Sequence, residues 1–431
     1  MKRILVVSPR FPPSNAADMH RVRQSLPYFR RLGWEPTVLS VEARLCEMPL
    51  DPWLETTVPA GTRVVHTGAA DVRTTRRFGI GSFDVRVLPY LARSGSRLLA
   101  TEPFDLVFFS TTAFLVMRLG PYWRRRFGVP YVLDMQDPWL SDYYDRPGAP
   151  PPPGGRLKHG VAHWLARACE PATMRAAAHV VSVSPAYPAM LRRRYPEMDA
   201  ERFTVLPFGA PEADVERLRQ LPVPQDIFDP ADGFQHWVYV GRAGGDMELS
   251  LTALFTALAR ARQAEPDVYD RVRLHFVGTD YAPAGRERET VAPLAAACGV
   301  GDLVRERPLR VPYAEALQAM LDADALLMPG SDDPGYTASK LYPTILARKP
   351  LLAVFHEQSS VLDVLRETGA GVGGGFGDGE TAAALASRIG AAWFGPQAWK
   401  QVPETDWTAF EPYTAREMAR RLAHVFDGAA R

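Results

Sequence analysis

The chain has 431 residues, of which 46% are hydrophobic and 23% charged, and its formal net charge is +1. This length and composition predict a globular protein with room for two domains, and the small net charge excludes a protein that binds nucleic acid through a strongly basic overall field. The three cysteines, Cys46, Cys169 and Cys298, lie far apart and lack the spacing of a metal or redox site. They are typical of a reducing compartment.

The first predicted element is a buried strand over residues 4–7, followed by a polar loop and a helix over residues 19–32. The apolar run of this strand is too short for a signal peptide, and no run approaches the roughly 18 apolar residues of a membrane span. We therefore expect a cytoplasmic protein, with peripheral contact at the inner face of a membrane left open. Arg21, in the first helix, is a candidate phosphate partner or a solvated arginine.

A basic and partly amphipathic stretch follows the second predicted strand, residues 38–41. Such a surface could rest on an anionic membrane or hold an acidic acceptor. The alternative is a solvated face over an ordinary core, since Asp71, Asp84 and Glu102 dilute the positive charge. The arginines of this stretch are Arg73, Arg76, Arg77, Arg86, Arg93 and Arg97.

Two carboxylates follow a buried strand near the middle of the first half. Residues 131–133 are apolar, and Asp134 and Asp137 come directly after them. Side chains at the end of a strand are well placed to hydrogen-bond sugar hydroxyls or an acceptor. Asp134 could equally be a structural residue at the strand end, whereas the loop position of Asp137, beside an aromatic residue, favours a site.

Proline-rich segments interrupt the chain twice. Residues 147–155 predict a loop that is either a lid or a linker, and residues 210–235 have the composition of a linker. After the second segment, an apolar strand passes into a loop with Gly241, Arg242 and Gly244, and a helix is predicted over residues 249–261. A strand, a glycine loop and a helix N-terminus together form a cradle for phosphate.

A strand, polar loop, helix and strand follow each other in residues 325–355. The predicted bounds are 325–328 for the first strand, 336–347 for the helix and 351–355 for the second strand. This βαβ unit would place the amides of Ala338, Ser339 and Lys340, with the Lys340 ammonium, at the carboxyl edge of a parallel sheet, where a diphosphate could bind. The alternative is an ordinary crossover with a surface lysine.

Residues 339–350, SKLYPTILARKP, resemble the donor-site segment of GT-B glycosyltransferases of the family 4 type, which often has the form SKxxEYxAxGxP. The two glutamates of the family fall on Gly335 and Pro343 here, and the glycine before the proline falls on Arg348.

Three further segments are similar to the family in the same order. The opening loop, with Asn15 and Ala16, stands where a glycine-rich loop lets backbone amides approach the donor. Residues 134–139, DMQDPW, resemble the DxRDxW segment. Arg242 matches an arginine that neutralises the diphosphate, while the usual lysine falls among residues 246–248, where there is none.

The resemblance implies an α/β protein with two Rossmann-like domains facing across a cleft, the GT-B fold. Residues 1–210 would form the N-terminal, acceptor-binding domain, and residues 236–407 the nucleotide-sugar donor domain. Residues 211–235 would be the linker. The C-terminal helix, in residues 408–431, would cross back to the N-terminal domain.

The implied function is transfer of a sugar, with retained anomeric configuration, from a nucleotide-diphosphate sugar to a glycan, lipid-linked or small-molecule hydroxyl, as in polysaccharide biosynthesis. Arg242 and Lys340 would stabilise the leaving diphosphate, and Asp137 would position the sugar or acceptor. No metal or cofactor is implied, nor any nucleic acid partner; the nucleotide sugar is a co-substrate. The substrate-binding candidates are Asn15, Ala16, Arg21, Asp134, Gly241, Gly244, Asp333, Gly335, Tyr336, Thr337, Ala338 and Ser339.

Two other functions stay open at this stage. Because both donor-site glutamates are replaced, the chain could be a non-catalytic GT-B protein that binds sugars or serves as a partner subunit. A phosphorylase or epimerase of this fold is less favoured, because no setting for a cofactor lysine is recognisable.

Overall fold

The computed structural model describes residues 1–79, 81–140, 156–280, 285–333, 336 and 338–431, and only the backbone of residues 156–158. The predicted loop at 147–155 and two candidate site residues, Gly335 and Thr337, lie outside the described residues. Of the helices in the described part of the chain, none is long and apolar enough to cross a membrane.

Strands of two parallel sheets alternate with helices along the chain. In the first sheet the strands are β1 Lys2–Val7, β2 Trp34–Val41, β3 Arg63–Thr67, β4 Leu106–Ser110, β5 Tyr131–Met135, β6 His179–Ser182 and β7 Phe203–Val205. In the second sheet they are β8 Gln235–Val240, β9 Val272–Val277, β10 Val304–Arg307, β11 Ala325–Pro329, β12 Leu351–His356 and β13 Val372–Phe376.

The helices that connect and cover these strands follow in chain order. They are α1 His20–Phe29, α2 Val72–Arg77, α3 Phe83–Thr101, α4 Leu119–Phe127, α5 Arg156–Ala176, α6 Ala186–Arg194, α7 Glu212–Gln220, α8 Glu248–Ala264, α9 Pro266–Tyr269, α10 Ala292–Ala297, α11 Tyr313–Asp322, α12 Leu341–Leu346, α13 Ser360–Thr368, α14 Ala382–Ile389, α15 Trp407–Phe410 and α16 Ala415–Ala429.

Both sheets have the strand order of a doubly wound fold. The first runs β3-β2-β1-β4-β5-β6-β7 and the second β10-β9-β8-β11-β12-β13, with parallel pairing throughout. The order reverses beside β1 in the first sheet and beside β8 in the second. We call the carboxyl ends of β1 and β4 the first switch point, and those of β8 and β11 the second. Ligands of doubly wound sheets bind at such points.

The chain divides into two compact units, and the boundaries differ from the predicted ones. The first unit comprises Met1–Gly209 and Ala415–Arg431, and the second Ala210–Thr414. The C-terminal helix α16 therefore belongs to the first unit, where it packs on α1. Phe426 of α16 lies among aromatic rings of that unit, 5.0 Å from the ring of Phe108 and 5.6 Å from that of Trp34.

The predicted linker over residues 211–235 contains a helix, because nine of its residues form α7, and it falls within the second compact unit. Prolines delimit this helix instead of excluding it: Pro211 immediately precedes α7. Glu212 and Asp214 lie in its first turn, where carboxylates interact favourably with the helix dipole.

The helix predicted over residues 336–347 is shorter in the structure, which begins it at Leu341. Pro343 explains the late start, because in a longer helix its ring would clash with the carbonyl of Ser339, four residues earlier. At its observed place, in the first turn, the missing N–H removes no intrahelical hydrogen bond.

Arg348 follows α12 in the left-handed region, with φ of 58°. The family pattern has glycine at this position, and glycine adopts this backbone conformation without cost from a Cβ atom. The structure therefore gives a physical reason for the glycine of the pattern, and the chain places an arginine there.

Candidate functional site

The second switch point begins in the loop that leaves β8. The Tyr239 hydroxyl donates a hydrogen bond of 2.7 Å to the carbonyl oxygen of Arg242, which holds the loop against the strand. A Cβ atom built on Gly241 would lie 2.6 Å from the Tyr239 hydroxyl oxygen and would also overlap the Lys340 ammonium. The absence of a side chain at Gly241 thus lets the lysine approach the backbone of this loop.

Lys340 comes from the other side of the switch point, at the end of the loop between β11 and α12. Its ammonium lies 6.0 Å from the centre of the Tyr239 ring. Burial first, then the positive charges of Arg310 and Arg242, lower the pKa of Lys340 to about 8. Within the described residues, the ammonium makes no hydrogen bond or ion pair.

Arg242, Arg310 and Lys340 therefore bring three cationic groups to one place, which we call the basic cluster. Arg242 already has a counterion: its guanidinium donates two hydrogen bonds of 2.7 Å to the carboxylate of Asp246. The Arg242 guanidinium also holds the pKa of Asp246 below its usual range. A partly buried ammonium that lacks a carboxylate partner is the kind of group that an anionic ligand neutralises.

Gly244 leaves room for the Arg242–Asp246 pair in its present position. A Cβ atom at Gly244 would lie 2.6 Å from one Asp246 carboxylate oxygen and would overlap the Arg242 guanidinium. Asp246 is one of the residues 246–248 among which the family's lysine falls, and in this chain its carboxylate pairs with the arginine.

The remaining described candidates of the second unit lie in the segment between β11 and α12. The Asp333 amide donates to the Ser331 hydroxyl, and its side chain is exposed. The Tyr336 ring stacks on that of Phe355 with a centroid distance of 6.2 Å. Ala338 is buried and Ser339 exposed.

The expectation that the amides of Ala338, Ser339 and Lys340 open a helix is corrected, because α12 begins only at Leu341. What this loop contributes at the second switch point is the side chain of Lys340.

In the first unit, Arg21 and Asp134 pair with each other. The Arg21 Nε donates to the Asp134 carboxylate at 2.8 Å, and both side chains are 0% exposed. The guanidinium also donates to the carbonyl oxygens of Leu206 and Pro207. The structure therefore places both predicted substrate-binding residues in a buried ion pair that joins α1, β5 and the segment after β7.

The Asp134 carboxylate accepts two further hydrogen bonds from residues near the carboxyl ends of β4 and β5. Ser110 Oγ and Gln136 Nε2 both donate to it at 2.8 Å, and Gln136 also donates to the backbone carbonyl of Asp18. A buried carboxylate needs such partners to remain charged. The glutamine between the two aspartates, where the family has arginine, thus serves this internal network.

The opening loop does not offer the expected amides. The Asn15 amide donates to the carbonyl of Pro49 at 2.8 Å, and the Ala16 amide donates to that of Ser14 at 3.1 Å. Both predicted contacts to the donor through these amides are corrected, because a bound N–H group is not available to a ligand. The side chain of Asn15 stays half-buried in this loop.

Asp137 remains a candidate in the first unit. Its side chain is exposed at the rim of the first switch point. Desolvation by neighbouring protein atoms and, less strongly, the negative charge of Asp18 raise the pKa of Asp137. Asp18 itself is buried and holds the loop after β4, since one of its oxygens accepts hydrogen bonds from Thr111, Thr112 and Arg10. Asp137 is thus the exposed carboxylate of a pair whose other member is structural.

Four residues that shape these switch points were not predicted from the sequence: Asp18, Tyr239, Asp246 and Arg310. Asp246 lies four residues after Arg242, a spacing that brings opposite charges together and could have indicated the pair. Arg310 lies beyond the end of β10 and joins the basic cluster only through the pairing of β10 with β9, so no local pattern marks it.

The comparisons with known proteins agree with this architecture. Residues 20–209 match the family model described as "Glycosyl transferase 4-like domain". Among curated proteins no match is found.

Solved structures resemble the chain over its whole length. HepE of Anabaena in complex with UDP-glucose has 17% identity and a TM-score of 0.57, covering 99% of this chain and 100% of its own. Sucrose-phosphate synthase from Thermosynechococcus elongatus has 16% identity and a TM-score of 0.61, covering 99% and 98%. A UDP-forming trehalose-phosphate synthase from Burkholderia xenovorans has 13% identity and a TM-score of 0.59, covering all of both chains. At these identities the likeness shows the fold, and the expected α/β fold of the GT-B type is confirmed.

Proposed function

We propose that this chain, which has the GT-B fold and whose residues 20–209 match the glycosyl transferase 4-like family model, is a retaining glycosyltransferase that takes its sugar from a nucleoside-diphosphate sugar. The Lys340 ammonium is the observation that carries this proposal. It is partly buried at the switch point of the second sheet, beside Arg242 and Arg310, and has no carboxylate partner in the described part of the chain. A diphosphate is the ligand class whose charge and size suit such a place.

In the proposed reaction the bond between the anomeric carbon and the diphosphate oxygen breaks, the acceptor oxygen bonds to the anomeric carbon, and the acceptor's hydroxyl proton passes to the leaving diphosphate. Negative charge develops on the leaving diphosphate, where the Lys340 ammonium and the Arg242 guanidinium would stabilise it. Asp137, whose exposed carboxylate has a raised pKa, is the candidate for holding a sugar or acceptor hydroxyl. A glycan, a lipid-linked sugar and a small molecule all remain acceptor classes in this proposal.

A structural neighbour suggests the first nucleotide to test. HepE was solved with UDP and with UDP-glucose, so UDP and UDP-hexoses are the first compounds to test. The assay measures release of the nucleoside diphosphate from a panel of nucleotide sugars, with and without sugar acceptors, by wild type and Lys340→Ala. We expect release from one nucleotide sugar by wild type and its loss in the variant. If no nucleotide sugar is consumed and none binds, the proposal fails.

A second function is favoured by one specific observation. Gly335 and Pro343 occupy the two positions where the family has carboxylates, so a ribose would lack charge-assisted hydrogen bonds from these side chains. A non-catalytic protein that binds nucleotide sugars or a partner subunit fits this loss. Binding of a nucleotide sugar without turnover in the same assay would support it over the transferase.

A further inference from the structure

An open cavity of about 740 Å³ lies on the outer side of the helices that cover one face of the first sheet. It is bounded by α3, α4 and α5, and none of the described residues that line it belongs to a strand. Apolar side chains form most of its wall, among them Leu88, Pro89, Leu119, Pro121 and Ala168.

Four arginines, Arg93, Arg118, Arg125 and Arg126, stand around this cavity, and no carboxylate is among the described residues that line it. Arg126 donates a hydrogen bond to the Tyr122 hydroxyl. The other three make neither a hydrogen bond nor an ion pair with any residue that the structure describes. Since the whole chain has a net charge of only +1, this concentration of positive charge is local.

Large exposed apolar side chains precede the cavity residues along α5. Trp164 is 67% exposed and Val161 is 56% exposed. They precede the cavity residue Ala168 by four and seven residues, which places all three on one side of the helix. Exposed aromatic and aliphatic side chains beside unpaired arginines are the combination that interfacial membrane binding requires.

The sequence suggested a basic surface formed by arginines of residues 73–97. In the described part of the structure, a different set of arginines is exposed and unpaired. Arg86 is buried and donates to the Glu47 carboxylate, and Arg76 pairs with the same carboxylate. These two arginines are thus neutralised, whereas Arg93 stays available and is joined by Arg118 and Arg125, which lie outside that stretch.

We propose that this face, formed by α3, α4 and α5, binds the surface of a bilayer that contains anionic phospholipids. The arginines contact lipid phosphates, while Trp164 and Val161 enter the boundary between headgroups and acyl chains. Each arginine near an anionic surface contributes about a fivefold increase in binding. This surface lies outside the proposed donor site, so its test does not depend on transferase activity.

The experiment is co-sedimentation of the full chain with vesicles of phosphatidylcholine alone and of phosphatidylcholine mixed with phosphatidylglycerol. Wild type should sediment with the anionic vesicles only. Arg93→Glu/Arg125→Glu should lower the binding constant by more than about tenfold, and Trp164→Ala should lower it at unchanged net charge. The matched control is Arg31→Glu/Arg431→Glu, which changes the net charge equally on exposed residues that follow α1 and α16.

Three outcomes would overturn the proposal. Wild type would fail to sediment with anionic vesicles, or the control variant would lose as much binding as the cavity variant, or soluble glycerol phosphate at millimolar concentration would abolish binding. The last result would indicate a site for a free phosphate. Circular dichroism melting of each variant confirms that the fold is intact before its binding is interpreted.

Discussion

The two switch points have the same strand topology, but their cationic side chains differ in whether a carboxylate neutralises them. At the first, the Arg21 guanidinium is fully buried and paired with Asp134. At the second, the Lys340 ammonium is partly buried, lies beside two other cations, and has no acidic partner in the described residues. A cationic side chain lies at both switch points of the doubly wound sheets. Whether it can bind an anionic ligand depends on whether a carboxylate of the protein already neutralises it.

The largest effect should come from breaking the first pair. Arg21→Ala leaves the Asp134 charge buried and should cost about 3–5 kcal/mol of the free energy of unfolding. Urea denaturation of the first unit measures this loss. The control is Arg30→Ala, which removes an exposed pair with Glu35 in the same unit and should cost far less, because solvent screens an exposed ion pair.

If Arg21→Ala were as mild as Arg30→Ala, the pair would not be the stabilising element that its burial implies, and the contrast with the second switch point would fail.

The next effect concerns the second switch point. Lys340→Ala should weaken binding of a nucleoside diphosphate by about 1.5–3 kcal/mol, because a charge-assisted hydrogen bond to the phosphate is lost. Isothermal titration calorimetry measures the dissociation constant. Lys400→Ala removes a lysine elsewhere in the second unit and should leave it unchanged. Equal affinity of Lys340→Ala and wild type would contradict the assignment.

The pH dependence sharpens the same comparison without a substitution. The pKa of Lys340 in the free protein is lowered to about 8, and an anionic ligand favours the protonated form, so it raises this pKa. Affinity for a nucleoside diphosphate should therefore be fully present below pH 8 and decline as the pH rises above it. Titrations between pH 7 and about pH 9.5 in one buffer series test this, and a flat profile would count against Lys340 as the anion ligand.

The smallest effect lies in the turn after α12. Arg348→Gly should raise the free energy of unfolding by about 0.5–1 kcal/mol, since glycine adopts the left-handed conformation without cost from a Cβ atom. Arg348→Ala is the control, because it removes the contact between the guanidinium and the Trp407 ring but keeps the Cβ atom. Only the glycine variant should gain stability in thermal melting.

More of the fold than of the candidate site could be predicted from the sequence. Apolar runs such as residues 325–328 predict β11 because a buried parallel strand is continuously hydrophobic. At residues 211–235 the prolines predicted a linker without a helix, whereas the structure has α7 there, directly after Pro211. At Pro343 the physical rule was available, yet the predicted helix ignored the clash with residue 339.

The site could be predicted only where charge and topology coincide, as for Arg242 and Lys340. The pairing of Arg21 with Asp134 could not be predicted, because a sequence shows two complementary charges 113 residues apart without showing that they meet in the interior. Arg310 was missed for the related reason that only the pairing of β9 with β10 brings it to the second switch point.

The charge of the second switch point is what should bind a nucleoside diphosphate. Titration of the wild-type chain with UDP and with uridine, in the same buffer at pH 7, measures that contribution. We expect UDP to bind and uridine to bind at least tenfold more weakly, since about 1.5–3 kcal/mol comes from the charge-assisted contact. Equal affinity for the two compounds, or no binding of UDP at millimolar concentration, would contradict it.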